Sequence, residues 1–262
     1  MKLTIKIIGA DRNIKAEASA NESVYLVYNK KYEEGDKICL YSDKKGFVVA
    51  CLEDSIPDVY GYLTGEYEML VPFGEKSVSY SPKSFTGDVH LLTARVANNE
   101  EVMRYRNLAL NPLDCHENIG LFPHAMANVE TRGESVFAAR NAINGNTANT
   151  GHGNWPYESW GINRNPDAKL RIDFGRTVCL DKAVFTTRAD FPHDSYWTQA
   201  TLEFSDGSHE IIKLNKAYKR QVFKILPHMA EWVIIKELVK AEDESPFPAL
   251  SQIELWGKEE II

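Results

Sequence analysis

The first hundred residues alternate between apolar and polar positions. Leu3, Ile5 and Ile7 are spaced by polar residues, and Val24, Leu26 and Tyr28 repeat the period of two, which predicts strands with one buried face. Ile38 and Leu40 stand across from Phe47, Val49 and Cys51, and further strands are predicted over Glu66 to Val71, Ser77 to Tyr80 and Asp88 to Val96. Each is preceded by glycine, proline or a charged turn, and no helical period of useful length interrupts them. Short strands at this spacing predict a β-sandwich or jelly roll.

The alternation resumes later in the chain. Leu170, Ile172 and Phe174 predict a one-faced strand ended by Gly175, Val184 to Thr187 and Thr201 to Phe204 predict two more, and Ser205-Asp206-Gly207 predicts the turn after the second. The unbroken run Val233-Ile234-Ile235 predicts a central strand covered on both faces. Ile253 and Leu255 alternate with Glu254, which is expected on the face opposite the core. Between the two halves, Asn98-Asn99-Glu100-Glu101 is poor in apolar residues. The expected organisation is therefore all-β with two sandwich domains, a jelly-roll-like one over residues 1–106 and a second over residues 107–262.

Charge narrows the function classes. The 262 residues carry a formal net charge of −7, which argues against a surface that tracks nucleic-acid phosphates or docks on anionic membrane. No apolar run approaches the length needed to span a bilayer. The opening segment, MKLTIKIIGADRN, alternates and lacks the continuous apolar stretch of a secretory signal, so it reads as a first strand and the chain is expected in the cytoplasm. Cys39, Cys51, Cys115 and Cys179 form no CxxC pair and are expected as reduced thiols. A hairpin closing on Lys44-Lys45-Gly46 would set Cys39 opposite Cys51, the one place where a disulfide could be drawn.

Residues 107–257 contain, in order, NLAL, ARNAINGN, LRIDFG, TLEFSDG and QIELWG. Taken together these resemble the discoidin domain, also called the coagulation factor 5/8 C-terminal type or galactose-binding-like fold, which includes many bacterial carbohydrate-binding modules. The resemblance implies a β-sandwich with ligand-binding loops at one end. It also implies a structural calcium ion beside the ARNAINGN turn, held by the Asn141 carbonyl, Asn144, Asn149 and Glu254 of the last strand. Asn144 stands where the family has aspartate and Asn149 where it has threonine. Calcium gains affinity from ligand charge, so Asn144 keeps an amide oxygen but loses a charge. The alternative is an asparagine-rich turn whose side chains bond their own backbone.

Two loops hold residue types suited to sugars. One carries His152, Trp155, Tyr157 and Glu158, with Trp160 just beyond; the other carries Arg188, Asp190, His193, Asp194, Tyr196 and Trp197. A sugar presents an apolar face to an aromatic ring and hydroxyls to charged or amide groups. Trp160 and Trp197 suit core positions, whereas Trp155, between Gly153-Asn154 and Pro156, is the best-placed stacking platform. The expectation is non-catalytic carbohydrate binding, with Trp155 or Tyr157 stacked on a sugar ring and Arg188, His193 and Asp194 on its hydroxyls or a carboxylate. The alternatives are a glycan-active enzyme using two of Glu158, Asp190 and Asp194, or a protein-interaction module. The N-terminal sandwich could serve self-association.

Overall fold

The computed structural model describes residues 1–151, 153–189 and 195–260. Eight strands make the first sandwich: β1 (Lys2–Ile8), β2 (Ile14–Asn21), β3 (Ser23–Tyr28), β4 (Lys37–Ser42), β5 (Gly46–Cys51), β6 (Val59–Leu63), β7 (Glu66–Leu70) and β8 (His90–Val96). One sheet has the order β2-β1-β4-β7, and the facing sheet runs β6-β5-β8-β3. The period of two is realised as expected. Val24, Leu26 and Tyr28 point inward while Ser23, Tyr25 and Val27 point out, and Leu3, Ile5, Ile7, Ile38 and Leu40 are fully buried.

Two local expectations for this half fail. β4 and β5 do not form a hairpin: β4 pairs with β1 and β7, whereas β5 pairs with β6 and β8 in the other sheet. The Asp43–Lys45 segment is thus a crossover between layers. Val48 and Ala50, not Phe47 and Cys51, take the deepest positions, and Cys39 and Cys51 are free thiols. The Ser77–Tyr80 strand is instead a 3-10 turn over Gly74–Ser79, in which Ser77 Oγ donates to the Gly74 carbonyl at 2.8 Å. Gly74, at φ 58°, starts the reversal that a strand could not make.

Asn98 begins a short helix, α1 (Asn99–Met103), through a capping box: Asn98 Oδ1 accepts from the Glu101 backbone N–H at 2.9 Å while the Glu101 carboxylate accepts from that of Asn98. Beyond α1 the chain does not stay with one core. β9 (Arg106–Asn107) joins the second sheet and Leu108 and Ala109 enter its core, but Leu113, Cys115 and Leu121 return to the first. β10 (Leu121–Phe122) then adds to β6, completing a five-stranded sheet. Asp114, fully buried, ties this return together by accepting from His124 Nδ1 at 2.7 Å, Asn118 Nδ2 at 2.8 Å and the Ala125 N–H at 2.8 Å.

The second sandwich comprises β11 (His124–Ala127), β12 (Trp160–Gly161), β13 (Leu170–Arg188), β14 (Trp197–Phe204), β15 (His209–Lys213), β16 (Gln221–Lys240) and β17 (Ala249–Glu259). Its antiparallel order is β12-β17-β13-β16-β14-β15, with β11 on β13. Three strands are long and bend. Gly175 does not end its strand; at φ 65° it belongs to an irregularity between Asp173 and Val178, after which β13 continues to Arg188. This lets β13 pair with β11 in its first part and β17 in its second, so one strand serves both sides of a core containing Trp160, Phe174, Phe185, Trp197 and Phe204. Central β16 is also less covered than its apolar run suggested: Val233 and Ile235 are fully buried but Ile234 is only half-buried.

Candidate functional site

The site grows from the turn that follows a 3-10 segment, Ala139–Ile143, packed beneath the second sandwich. Gly145 takes φ 87°, a left-handed conformation, and a Cβ there would lie 2.9 Å from Leu110 Cδ1. Asparagine side chains brace the turn: Asn144 Oδ1 accepts from the Asn146 N–H at 2.8 Å, and Asn146 Oδ1 from the Ala148 N–H at 3.1 Å. Their amide nitrogens converge on one buried carboxylate. Asn144 Nδ2 donates to Glu158 Oε1 at 2.8 Å and Asn146 Nδ2 donates to the same oxygen at 3.1 Å, while Glu158 Oε2 has no hydrogen-bond partner. Two donors offset part of the cost of burying this group, which is only 2% exposed.

Trp155 is anchored by its backbone and free at its ring. Its N–H donates to the Val78 carbonyl of the first sandwich at 2.8 Å, and the residue is 41% exposed. Trp155, Glu158, Asn146, Arg140, Tyr80 and Ser84 line a cavity of about 290 Å³ between the two sandwiches. Arg140 closes its floor. The guanidinium lies 4.2 Å from the Tyr80 ring centroid and donates to the carbonyls of Asp114 at 2.8 Å and Pro112 at 3.1 Å. Burial pushes the Tyr80 phenol up to about 12, so it stays protonated at neutral pH and keeps a hydroxyl at the wall.

The expected rim residues separate into three groups. Trp155 and Glu158 meet at the cavity. Arg188 lies behind it, donating to the backbone carbonyls of Tyr157 and Gly151, so it holds the two ends of the Trp155 loop. Tyr157 packs its ring on Gly151, where a Cβ would come within 2.6 Å. Trp197 is a core residue at 1% exposure, beside Trp160, as its place before a strand suggested. The half-buried Tyr196 lends its carbonyl to the Ala241 N–H at 2.9 Å. His152, Asp190, His193 and Asp194 lie outside the described residues. Glu158 is therefore the only carboxylate lining this cavity among the described residues.

The calcium ligands implied by resemblance do not gather. Glu254 accepts from Arg220 Nε and Nη2, each at 2.7 Å, and from Trp256 Nε1 at 2.7 Å. Asn149 turns its amide to the Tyr218 carbonyl at 3.0 Å. The side chain that does reach the turn is Gln252, two residues earlier on β17. Its Nε2 donates to the Asn141 carbonyl at 2.5 Å and to Asn144 Oδ1 at 2.8 Å, while its Oε1 accepts from the Gly145 N–H at 3.0 Å. An amide N–H₂ thus satisfies the oxygens that a cation would need, and the site residues do not fit calcium. No group of three or more His, Cys, Asp or Glu suited to a metal occurs among the described residues.

Sequence reasoning missed Gln252, Asn146 and Arg140, and it missed that the first sandwich supplies one wall. The capping power of asparagine in the run Asn141-Ala142-Ile143-Asn144-Gly145-Asn146 was the available signal for Asn146. Nothing in the sequence pairs Gln252 with a turn more than a hundred residues away.

Fold and site together define an all-β protein with two packed sandwiches and a polar, aromatic-lined cavity between them. No known family matches the chain, and no curated protein does. Among solved structures, the chain is similar to carbohydrate-binding modules and lectin domains. Chitosan-binding module 1 of a chitosanase/glucanase from Paenibacillus sp. IK-5 shows 16% identity over 58% of this chain and 98% of that one, with a TM-score of 0.38. The family 32 carbohydrate-binding module of C. perfringens NanJ, solved with galactose, shows 16% identity over 50% and 91%, with a TM-score of 0.38. The lectin domain of lectinolysin, solved with Lewis B antigen, shows 16% identity over 58% and 96%, with a TM-score of 0.41. Similarity at this level assigns neither a ligand nor an activity to the chain.

Proposed function

We propose that this protein binds carbohydrate, without transforming it, in the cavity at Trp155. The discoidin-type second half, residues 107–262, carries the binding loops on this reading, and residues 1–106 form the opposing wall. The observation that carries it is the Trp155 indole, 41% exposed on a backbone pinned to Val78, standing over a cavity rimmed by amides and hydroxyls. An exposed ring suits the C–H face of a sugar, and Asn146, Ser84 and Glu158 suit its hydroxyls. The backbone that carries the ring is held before a ligand arrives, so ordering of that segment does not oppose binding.

On this reading Arg188 supports the loop through the Tyr157 and Gly151 carbonyls. The test is a glycan array with the purified protein, followed by titration of the best hit with the parent chain and Trp155→Ala. Binding should fall at least tenfold in the variant, about 1.4 kcal/mol. A folded parent protein that binds no glycan on the array removes this reading.

A further inference from the structure

We propose that the Trp155 cavity is one end of a groove that continues past Gly145 to Trp256, and that the groove takes an extended, uncharged oligosaccharide rather than a single sugar. This rests on the carbohydrate-binding reading and extends it.

A second cavity, of about 470 Å³, is lined by Tyr60, Arg106, Gly145, Arg220, Glu254 and Trp256. Gly145 lines both cavities. Their walls also run on from one to the other. Ser55, Ile56 and Pro57 border the Trp155 cavity and the next residues, Asp58 to Tyr60, border the second; Asn144 and Asn146 border the first and Thr147 the second. The two spaces are therefore consecutive stretches between the same pair of chain segments. Alone, the Trp155 cavity falls just short of the ~300–1,000 Å³ range of ligand pockets; the pair lies well inside it.

The second stretch repeats the features of the first. Trp256 is half-buried, with its indole N–H fixed on Glu254 Oε2 at 2.7 Å, so the ring has a set orientation. The Arg220–Glu254 pair beside it is bidentate at 2.7 Å on each arm and leaves the arginine side chain 51% exposed. The Tyr60 hydroxyl is buried without a hydrogen-bond partner, as is Glu158 Oε2 at the other end. Each stretch thus combines a tryptophan, a polar cluster and one unsatisfied polar atom.

Charge selects the class of glycan. The linings carry Arg106, Arg140 and Arg220 against Asp58, Glu158 and Glu254, three cations to three anions. Within that count Arg220 and Glu254 pair with each other, and Arg106 pairs with Glu259, which also holds Arg176. A sulfated or uronic chain would meet no net attraction here, whereas a neutral chain loses nothing by it.

The experiment is calorimetric titration with cello-, N-acetylchito- and β-galacto-oligosaccharides of one to six residues, with a heparin tetrasaccharide as the charged comparator. For at least one neutral series, affinity should rise tenfold or more between one and four residues. The tetrasaccharide-to-monosaccharide affinity ratio should fall towards one in Trp256→Ala and in Arg220→Ala; the latter changes an exposed side chain and keeps the test independent of folding. Equal affinity at every length overturns the groove and leaves the Trp155 reading standing. A length effect that survives both variants also overturns it, as does preference for heparin. If neither these series nor the glycan array yields binding, the carbohydrate reading falls with the groove.

Discussion

The two sandwiches reach the same architecture by different means. The first uses short strands of five to eight residues, in two sheets that share no strand of their own chain segment. The second leans on β13, β16 and β17, of 19, 20 and 11 residues, with β13 bending so that it borders both layers. When three long strands hold the core, few connections are needed for stability, and the remaining chain is free to form loops. Residues 128–159 are one such stretch, and they contain the Asn144 turn, Trp155 and Glu158. The longest connection of the first sandwich, residues 71–89, supplies Ser79, Tyr80, Ser81 and Ser84 as the opposing wall. On the proposed reading, the difference gives ligand contact to one half and support to the other.

That division of labour breaks most visibly if the joint is cut. Arg140 donates to carbonyls of residues 112 and 114 and stacks on Tyr80, so it connects the second sandwich to the first. Arg140→Met keeps much of the apolar stem but strands buried carbonyls, each worth ~1–3 kcal/mol. We expect a loss of roughly 3 kcal/mol or more in urea denaturation, and a single transition resolving into two as the cores uncouple. A variant with one unshifted transition would show that the remaining ties, among them Trp155 to Val78, Ser135 to Glu75 and β10 on β6, join the halves without Arg140.

A smaller change tests the turn itself. Gln252→Leu removes both ends of the bridge between β17 and the Asn141–Gly145 segment and should cost about 2 kcal/mol. In the parent chain, melting temperature should be the same in calcium and in chelator. Gln252→Glu with Asn144→Asp supplies two carboxylates where the amide now sits, and this pair should gain a melting shift of several degrees in millimolar calcium that chelator reverses. A calcium-dependent shift in the parent chain would instead mean that Gln252 gives way to the ion.

The same contrast explains what the sequence could disclose. In the first sandwich, alternation named most strands and the inward residues of β1, β3 and β4, because each short strand has one buried face and period two is all that is required. It failed at Asp43–Lys45, where a hairpin and a crossover carry the same turn residues, and only pairing partners decide. In the second half the pattern located Leu170 to Phe174, Phe185 and Ile253 but read Gly175 as an end, since a bulge and a strand terminus both favour glycine. For the candidate site, the exposure of Trp155 was legible from its glycine and proline neighbours, and the burial of Trp160 and Trp197 from the strands beside them. The bonds from Arg188 to the Tyr157 and Gly151 carbonyls were not legible, because a charged residue at a strand end serves a ligand or a loop carbonyl equally well. Gln252 and Arg140 act across long stretches of sequence, where local pattern carries no information.

The smallest effect concerns the buried hub at the joint, and its sign follows from the environment of His124. Burial opposes a charged imidazole there, but the hydrogen bond to Asp114 and the charge of that carboxylate outweigh it, with Asp173 adding to the pull and His116 opposing it. The pKa of His124 is therefore raised above its ordinary value near 6.5. A raised folded-state pKa means that the folded form holds its proton more tightly than the unfolded chain. The resulting stabilisation is present in full below about pH 6.5 and is lost as pH rises through the folded value. His116, raised by its hydrogen bond to Glu130, contributes a slope of the same sign, so the informative quantity is a difference. Urea denaturation of the parent chain and of His124→Gln from pH 5.5 to 8.5 should give a steeper decline for the parent, by the His124 share alone. Parallel curves would mean that His124 is neutral throughout and that Asp114 holds the joint through Asn118 and the Ala125 N–H instead.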